Sequence, residues 1–575
     1  MRIGRTLHLL RPISQVRAMP RSLLPVFCLL LCALASASAQ NSRPNVLLII
    51  TDDQGYGDLG LHGNEKIRTP HLDQLGRESV QLTQFLVNPV CSPTRASLLT
   101  GRYYYRTGVV DTFIGRSLMW PDEITLAEML SKGGYKTGLF GKWHLGDNYP
   151  MRPQEQGFGE VLVGRGGGLG QPSDEPGTVR ARAYFDPVLQ HNGRAEKFPG
   201  YCTDIFTDAT IQFIEKNEEQ PFFAMLATNA PHDPLQVPDA YLKPYLDAGL
   251  PEKMARVYGM VTNLDDNIGR LLKRVDDLGL SQKTIVLFTT DNGPSGQRYN
   301  AGMRATKGTV YEGGIRVPCF VRWTGTLKPG SVDRMAAHID ITPTLLEACD
   351  VPLPSDRPID GKSLLPLLRG EEKAVTNWPD RTLHFQWHRG DEPELFRDSA
   401  ARTQRWKLVR GKELYDLQAD PAEKADVAAS NPEVVQKLRS EHEKWFADVT
   451  TRCKDNPSPI VLGSEYENPS LLTRQDWRGS AAGWTPKSNG HWEVQIANGG
   501  KYRVSVLAEA APADREVQVK VGSARAQGLL KADETSATLE VSGVEPGRVA
   551  VSAEMRQGDT VTGPNYLRVE RLAGQ

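Results

Sequence analysis

Two apolar runs end in oxygen-bearing residues. PNVLLIITDD closes on Asp52 and Asp53, and KTIVLFTTDNG closes on Asp291, Asn292 and Gly293. Carboxylate and amide oxygens form a hard ligand set that suits Ca²⁺ or Mg²⁺ better than zinc. One Asp-Asp pair alone equally describes a helix N-cap or a turn. The second strand-end pair turns the reading towards a metal. A third run, KTGLFGKWHLG, ends in Lys142 and His144. These flank Trp143, so on extended backbone they project from the same face. A fourth, PFFAMLATNAPHDP, ends near His232. Lys307 sits in ATKGTVYEGG. Between the first and third runs, CSPTRASLLTGR holds the lone cysteine Cys91, with Arg95 four residues on. If a helix starts near Pro93, the two side chains face the same way. Cys91 is open to four readings: half of a disulfide, a metal ligand, a nucleophile, or material for modification. In isolation Arg95, Lys142 and Lys307 read as solvated cations, His144 as a core residue and His232 as a turn residue. Only the joint pattern gives them weight.

The elements that must position these residues are strands and helices in alternation. The apolar runs read as buried parallel strands. TLAEMLSKGG and NLDDNIGRLLKRVDDLG read as helices between them, the latter with apolar residues at helical spacing. This order predicts an α/β fold with a mostly parallel central sheet flanked by helices. Ligands in such sheets bind beyond the carboxyl ends of the strands, so four chemically equipped strand ends predict one shared site. From about Arg381 the texture changes. TLHFQWH, RWKLVRG and KELYDL read as short antiparallel strands before a helix over PEVVQKLRSEHEKWFADV, with SEHEKW as an exposed face. From about residue 460, alternating segments with Gly and Asn turns predict a β-sandwich. The expected organisation is a leader over 1–39, an α/β body over 40–380, an α+β subdomain over 381–455 and a sandwich over 456–575. GRGGGLGQPSDEPG reads as a flexible surface loop. Trp477, Trp484 and Trp492 read as sandwich core, with a sugar-stacking platform as the other possibility.

The chain has 575 residues and a formal net charge of -1. That balance gives no reason to expect nucleic acid or an anionic membrane as a partner. MPRSLLPVFCLLLCALASASAQ has the basic start, short apolar run and A-x-A ending of a secretory signal, with cleavage expected after Ala39 and either Met1 or Met19 as the start. The reading is a secreted or periplasmic protein with no stable membrane insertion after cleavage. The remaining cysteines, Cys202, Cys319, Cys349 and Cys453, are too few and too scattered for a disulfide scaffold. Cys202, Cys319 and Cys349 read as small buried hydrophobes.

The stretch CSPTRASLLTGR resembles the C-x-P-x-R…L-T-G-R signature of the type I, arylsulfatase-like sulfatases of the alkaline phosphatase-like superfamily. TDDQGYGDLG, TPHLDQL, GKWHLG, APHDP, TDNG and RATKGTVYEGGIRVP sit along the chain in the family's order, and ELYDLQADPAEKAD resembles its C-terminal subdomain. The resemblance covers roughly Arg43 to Val449. It implies that a maturation system oxidises Cys91 to Cα-formylglycine (3-oxoalanine). The hydrated aldehyde would attack sulfur through one hydroxyl and form a covalent sulfate ester. Deprotonation of the other hydroxyl would then expel sulfate, which splits one hard displacement into two easier steps. The resemblance also implies one Ca²⁺ held by Asp52, Asp53, Asp291, Asn292 and the converted Cys91. It implies that Arg95 holds the hydrate, Lys142 contacts diol and sulfate, His144 takes the proton that triggers collapse, His232 protonates the leaving alcohol, and Lys307 binds sulfate oxygens.

The expected function is hydrolysis of sulfate monoesters, with a sulfated small molecule or glycan as substrate and a sulfated carbohydrate preferred because of the extra β domain. Two alternatives stand beside it. One is a phosphodiesterase or phosphonate monoester hydrolase of the same superfamily. The other is an inactive secreted glycan-binding protein. The segment between Met151 and Gly200 is expected to shape substrate choice.

Overall fold

The computed structural model describes residues 43–453 and 457–572. The leader expected over 1–39 lies outside the described residues. Its centre is a ten-stranded sheet. Four of its strands matter most: β1 (Asn45–Thr51), β2 (Lys136–Lys142), β3 (Phe222–Ala227) and β4 (Thr284–Thr290). They lie in the order β4-β1-β3-β2 and all neighbouring pairs are parallel. The sheet continues past β2 with Glu160–Gly164, also parallel, and past β4 with the antiparallel Cys319–Arg322.

The sequence forms this sheet because β1, β3 and β4 carry apolar runs, are buried throughout and can be covered on both faces. Side chains alternate between the faces. Val46, Leu48 and Ile50 enter one core with Leu98, Leu99 and Leu130, while Leu47 and Ile49 enter the other with Leu264, Ile268 and Leu271 of the long helix Glu252–Asp277. The helix α1 (Cys91–Thr100) is buried along its whole length and starts two residues before Pro93. Its first N–H groups need no intrahelical partner, so Pro93 costs nothing there. Gly101 ends it in the left-handed conformation at φ 71°.

A four-stranded antiparallel sheet spans Leu383–Gln386, Ser399–Arg402, Trp406–Val409 and Glu413–Asp416. The helix Pro432–Val449 follows it. Within SEHEKW the expected exposed face is only partly so. His442 and Trp445 are buried, and His442 meets His384 at 3.2 Å while Trp445 stacks on the same ring at 4.8 Å. A charged sequence can still turn two aromatic rings inward at helical spacing.

The C-terminal region is two facing sheets, mostly antiparallel, around one apolar core. Trp477 and Trp492 fill that core, as expected. Trp484 does not belong to it. Cys202, Cys319 and Cys349 are buried, as read from the sequence. No helix among the described residues is long and apolar enough to cross a membrane.

Candidate active site

The carboxyl ends of β1, β2, β3 and β4 converge. Asp52 and Asp53 follow β1, Lys142 closes β2, His232 follows β3, and Asp291 and Asn292 follow β4. Backbone bonds tie these ends together. The Asp52 N–H donates to the Ala230 carbonyl at 3.2 Å and the Asp291 N–H to the Thr51 carbonyl at 3.1 Å. The turn after Asn292 is tight enough that a Cβ on Gly293 would lie 2.0 Å from the Gly313 carbonyl oxygen. Glycine is required there by close backbone approach.

α1 points its N-terminus at this convergence and braces it. Arg95 donates through Nε and Nη2 to Asp291 Oδ2 at 3.0 and 2.8 Å, and through Nη1 to the Lys142 carbonyl at 2.9 Å. Its guanidinium therefore positions a carboxylate and a strand end. Ser92 Oγ donates to the His144 carbonyl at 2.9 Å. Lys142 Nζ pairs with Asp52 Oδ2 at 2.7 Å, and Lys307 pairs with Asp53 Oδ1. Arg298 supports the same loop, donating to the Asp53 carbonyl at 2.7 Å and pairing with Asp58.

Oxygens suited to a hard cation are present. Ligand atoms of Asp52, Cys91 and Asp291 lie within 4.8 Å of one another, as do those of Asp52, Asp53 and His232. Asp52 Oδ1 and Asn292 Oδ1 are buried with no hydrogen-bond partner. Unsatisfied buried oxygens are costly and point to a cation as the missing partner. The Asn292 amide nitrogen donates to Asp53 Oδ1 at 2.8 Å, which fixes the amide with its oxygen free. The residues present fit a divalent hard cation.

Both histidines are oriented by carbonyls. Carbonyl oxygens only accept, so each carbonyl-bound ring nitrogen carries the proton. His144 donates from Nε2 to the Thr112 carbonyl at 2.7 Å, which leaves Nδ1 as a buried lone pair without a partner. His232 donates from Nδ1 to the Asp233 carbonyl at 2.6 Å, and its Nε2 stands 3.9 Å from Asp53 Oδ2. Asp53 and His144 both hold left-handed backbone, at φ 65° and 64°. Non-glycine residues rarely adopt it, and such strain collects at functional sites.

The electrostatics follow from burial and crowding. Burial raises the Asp52 carboxyl, and Lys142 only partly opposes it. Burial and the neighbouring Asp52 raise Asp291 to about 6 against the pull of Arg95. Asp53 goes the other way, because Lys307 and His232 overcome its burial. Burial, then Lys142, pushes His144 well below the ordinary histidine range, and burial pushes His232 down to about 4 despite Asp53. Burial also raises the Cys91 thiol, against Lys142 and Lys307. That thiol stays protonated at neutral pH and is a poor nucleophile as it stands.

Above these groups lies a pocket of about 360 Å³. Cys91, His144, His232 and Lys307 form its floor, and Phe113, Trp387, Arg389 and Trp484 form its walls. Sequence reading missed Thr112, because a backbone carbonyl leaves no residue signature. It also missed Trp387 and Arg389, which lie outside every recognised motif. GRGGGLGQPSDEPG is no free surface loop. Residues 164–169 are buried, Gly166 N–H donates to Asp147 at 2.8 Å, and a Cβ on Gly167 would fall 2.5 Å from the His144 ring. The glycines let this segment lie flat against the His144 ring.

Residues 44–351 match the family model described as Sulfatase. Residues 305–448 match the one described as N-sulphoglucosamine sulphohydrolase, C-terminal. Arylsulfatase A of Homo sapiens is 31% identical over 507 residues, covering 77% of this chain and 94% of that protein. N-acetylgalactosamine-6-sulfatase of Homo sapiens is 34% identical over 359 residues, covering 58% of this chain and 67% of that protein. The structure of Ps i-CgsB in complex with k-i-k-neocarrahexaose aligns with a TM-score of 0.64 and 28% identity, over 72% of this chain and 95% of that one.

Proposed function

The chain belongs to the sulfatase family and is a sulfuric ester hydrolase, and on that premise we propose that it is a secreted enzyme acting on a sulfated carbohydrate through a formylglycine at position 91. The observation that carries the reading is the meeting of Cys91 with Asp52 and Asp291 at the ends of parallel strands, where Asp52 and Asn292 leave buried oxygens without a partner. Ps i-CgsB bound to a neocarrahexaose supports the choice of carbohydrate.

Asp52, Asp53, Asp291 and Asn292 would hold a Ca²⁺, with residue 91 beside it. When bound, the cation supplies positive charge against a sulfate oxygen and favours an ionised oxygen at residue 91. Conversion of Cys91 supplies a hydrated aldehyde with one hydroxyl to attack sulfur and another to lose a proton and release sulfate.

Lys307 lines the space above residue 91, and Lys142, buried against Asp52, acts on residue 91 through its charge; together they balance the anionic ester. Arg95 holds Asp291 and the end of β2 in place. His144 keeps its Nδ1 unprotonated, as a base must, with its proton on Nε2 held by Thr112. His232 presents Nε2 to the pocket. A bound ester adds negative charge beside it and raises its proton affinity, so it can hand a proton to the leaving oxygen.

The test is mass analysis of the Cys91 peptide from the native host, together with a release assay on aryl sulfate, sulfated glycans and phosphate diesters. The expected result is an aldehyde at 91 and release of sulfate. An unconverted thiol throughout active protein rules out this chemistry, and faster turnover of phosphate diesters rules out sulfur as the target.

A further inference from the structure

Trp484 is carried by the C-terminal sheets, yet it lines the pocket over Cys91. Phe113 of the α/β body braces its ring edge to face, with centroids 5.4 Å apart. On its other side Trp484 lines a second cavity of about 460 Å³, formed between the Gly170–Arg180 segment and the sandwich. Gln171 also lines both. The two cavities therefore adjoin at one indole and one amide.

The charge along this path has one dominant sign. The lining of the catalytic pocket contains Lys307 and Arg389 and no carboxylate. Arg389 is exposed and lies over the Trp387 ring at 4.0 Å. The second cavity is lined by Arg180, Arg474 and Arg515 against Glu509 and Asp174. Burial holds the Asp174 carboxyl up at about 7, which blunts its charge. Arg474 is bound to the carbonyls of Gly563, Pro564 and Thr485. Arg515 is nine-tenths buried, gives one bond to the Glu509 carbonyl at 2.7 Å, and keeps a buried Nε without a partner. Among the described residues no carboxylate pairs with Arg180, Arg474 or Arg515. Unneutralised guanidinium groups beside an aromatic face are equipped for an anionic, ring-built ligand.

We propose that the sandwich builds the second half of the substrate groove, so that the substrate is an anionic oligosaccharide whose sulfated unit sits over Cys91 while neighbouring units stack on Trp484 and run into the arginine-lined cavity. This rests on the sulfatase reading and extends it from a single sulfated unit to a chain. Trp484 and Arg515 are then specificity residues that touch the substrate away from the reacting sulfur.

The experiment uses full-length, aldehyde-bearing enzyme and compares kcat/KM on three probes: an aryl sulfate, sulfated monosaccharides, and sulfated hexasaccharides of carrageenan and glycosaminoglycan type. Binding of the hexasaccharides is measured in parallel on Cys91→Ala protein. At least one hexasaccharide is expected to exceed its monosaccharide by about tenfold, the scale of one aromatic platform. Arg515→Gln should erase most of that preference, with a much smaller change on aryl sulfate, whose turnover also reports that the variant folds, and Trp484→Ala should weaken hexasaccharide binding on the Cys91→Ala background about tenfold. Equal kcat/KM for monosaccharide and hexasaccharide overturns the proposal. So does an Arg515→Gln enzyme that loses aryl sulfate and hexasaccharide turnover in parallel, and so do hexasaccharides that fail to bind. A converted enzyme that hydrolyses no aryl sulfate or sulfated sugar overturns the sulfatase reading itself.

Discussion

Each site residue owes its chemistry to the atom its neighbours leave available. His144 is bound at Nε2 and open at Nδ1, and His232 is bound at Nδ1 and open at Nε2. If His144 starts the collapse that frees sulfate, His144→Ala should lower kcat about 10²–10⁴-fold. Rapid quench should still show a stoichiometric burst of alcohol before the stall, and loss of the burst would place His144 in the first step instead. His232→Ala should slow the burst itself, most with poor leaving groups. The oxygens argue the metal in the same way. Three buried carboxylates share one locus, and two of them lie above the ordinary carboxylate range. A cation that binds only the native state stabilises by about 2.7 kcal/mol at a hundred times its dissociation constant. Treatment with EGTA should therefore abolish turnover and lower Tm together, and Ca²⁺ should restore both better than Zn²⁺. Asn292→Ala should raise the Ca²⁺ concentration needed for both recoveries.

Elements decide how closely those atoms meet, and the sequence encodes them unevenly. The four site strands were legible because apolar runs of strand length closing on polar residues have few other readings. The alternation of Val46, Leu48 and Ile50 against Leu47 and Ile49 then fixes which side chains enter which core. The loops were less legible. In residues 164–169, glycine signalled mobility, whereas here it permits contact with the His144 ring. Thr112 contributes only its carbonyl and Trp387 only its position after a short strand, so neither leaves a pattern. The same limit applied to Trp484, since three tryptophans in one β region look alike until packing separates two core rings from one pocket ring. Gly293 allows a direct test at this scale. A Cβ there meets the Gly313 carbonyl at 2.0 Å, so the turn carrying Asp291 and Asn292 must shift. Gly293→Ala should cost about 1–3 kcal/mol of stability. It should also weaken Ca²⁺ dependence of Tm more than an equally destabilising change such as Ile49→Val, because the cost falls on the ligand turn.

At the scale of the whole molecule, the C-terminal sheets are fastened beside the catalytic pocket. Glu467 accepts from Asn148 and the Tyr149 N–H at 3.1 and 2.8 Å, and Arg165 donates to the Leu471 carbonyl at 3.1 Å. Gln475 donates to the Thr112 carbonyl at 2.8 Å, the same carbonyl that holds His144. This junction buries Asp476, whose Oδ2 has no hydrogen-bond partner. Burial raises its pKa, Asp147 across the junction raises it further, and Arg165 offsets only part. Asp147 is raised as well, chiefly by burial. A carboxyl raised in the native state binds a proton that the unfolded chain, with its ordinary pKa of about 4, has already released. The native state then binds more protons than the unfolded one, so stability falls as pH rises through this window. Asp476→Asn removes the titration and leaves Arg165 to Asp147, Glu175 and Glu467. Melting curves should show the variant less affected than the wild type between about pH 5 and about pH 8, and more stable than it at the upper end. Parallel pH profiles for the two proteins would mean that Asp476 titrates as an ordinary carboxylate. The junction would then be held by the hydrogen bonds of Glu467, Arg165 and Gln475.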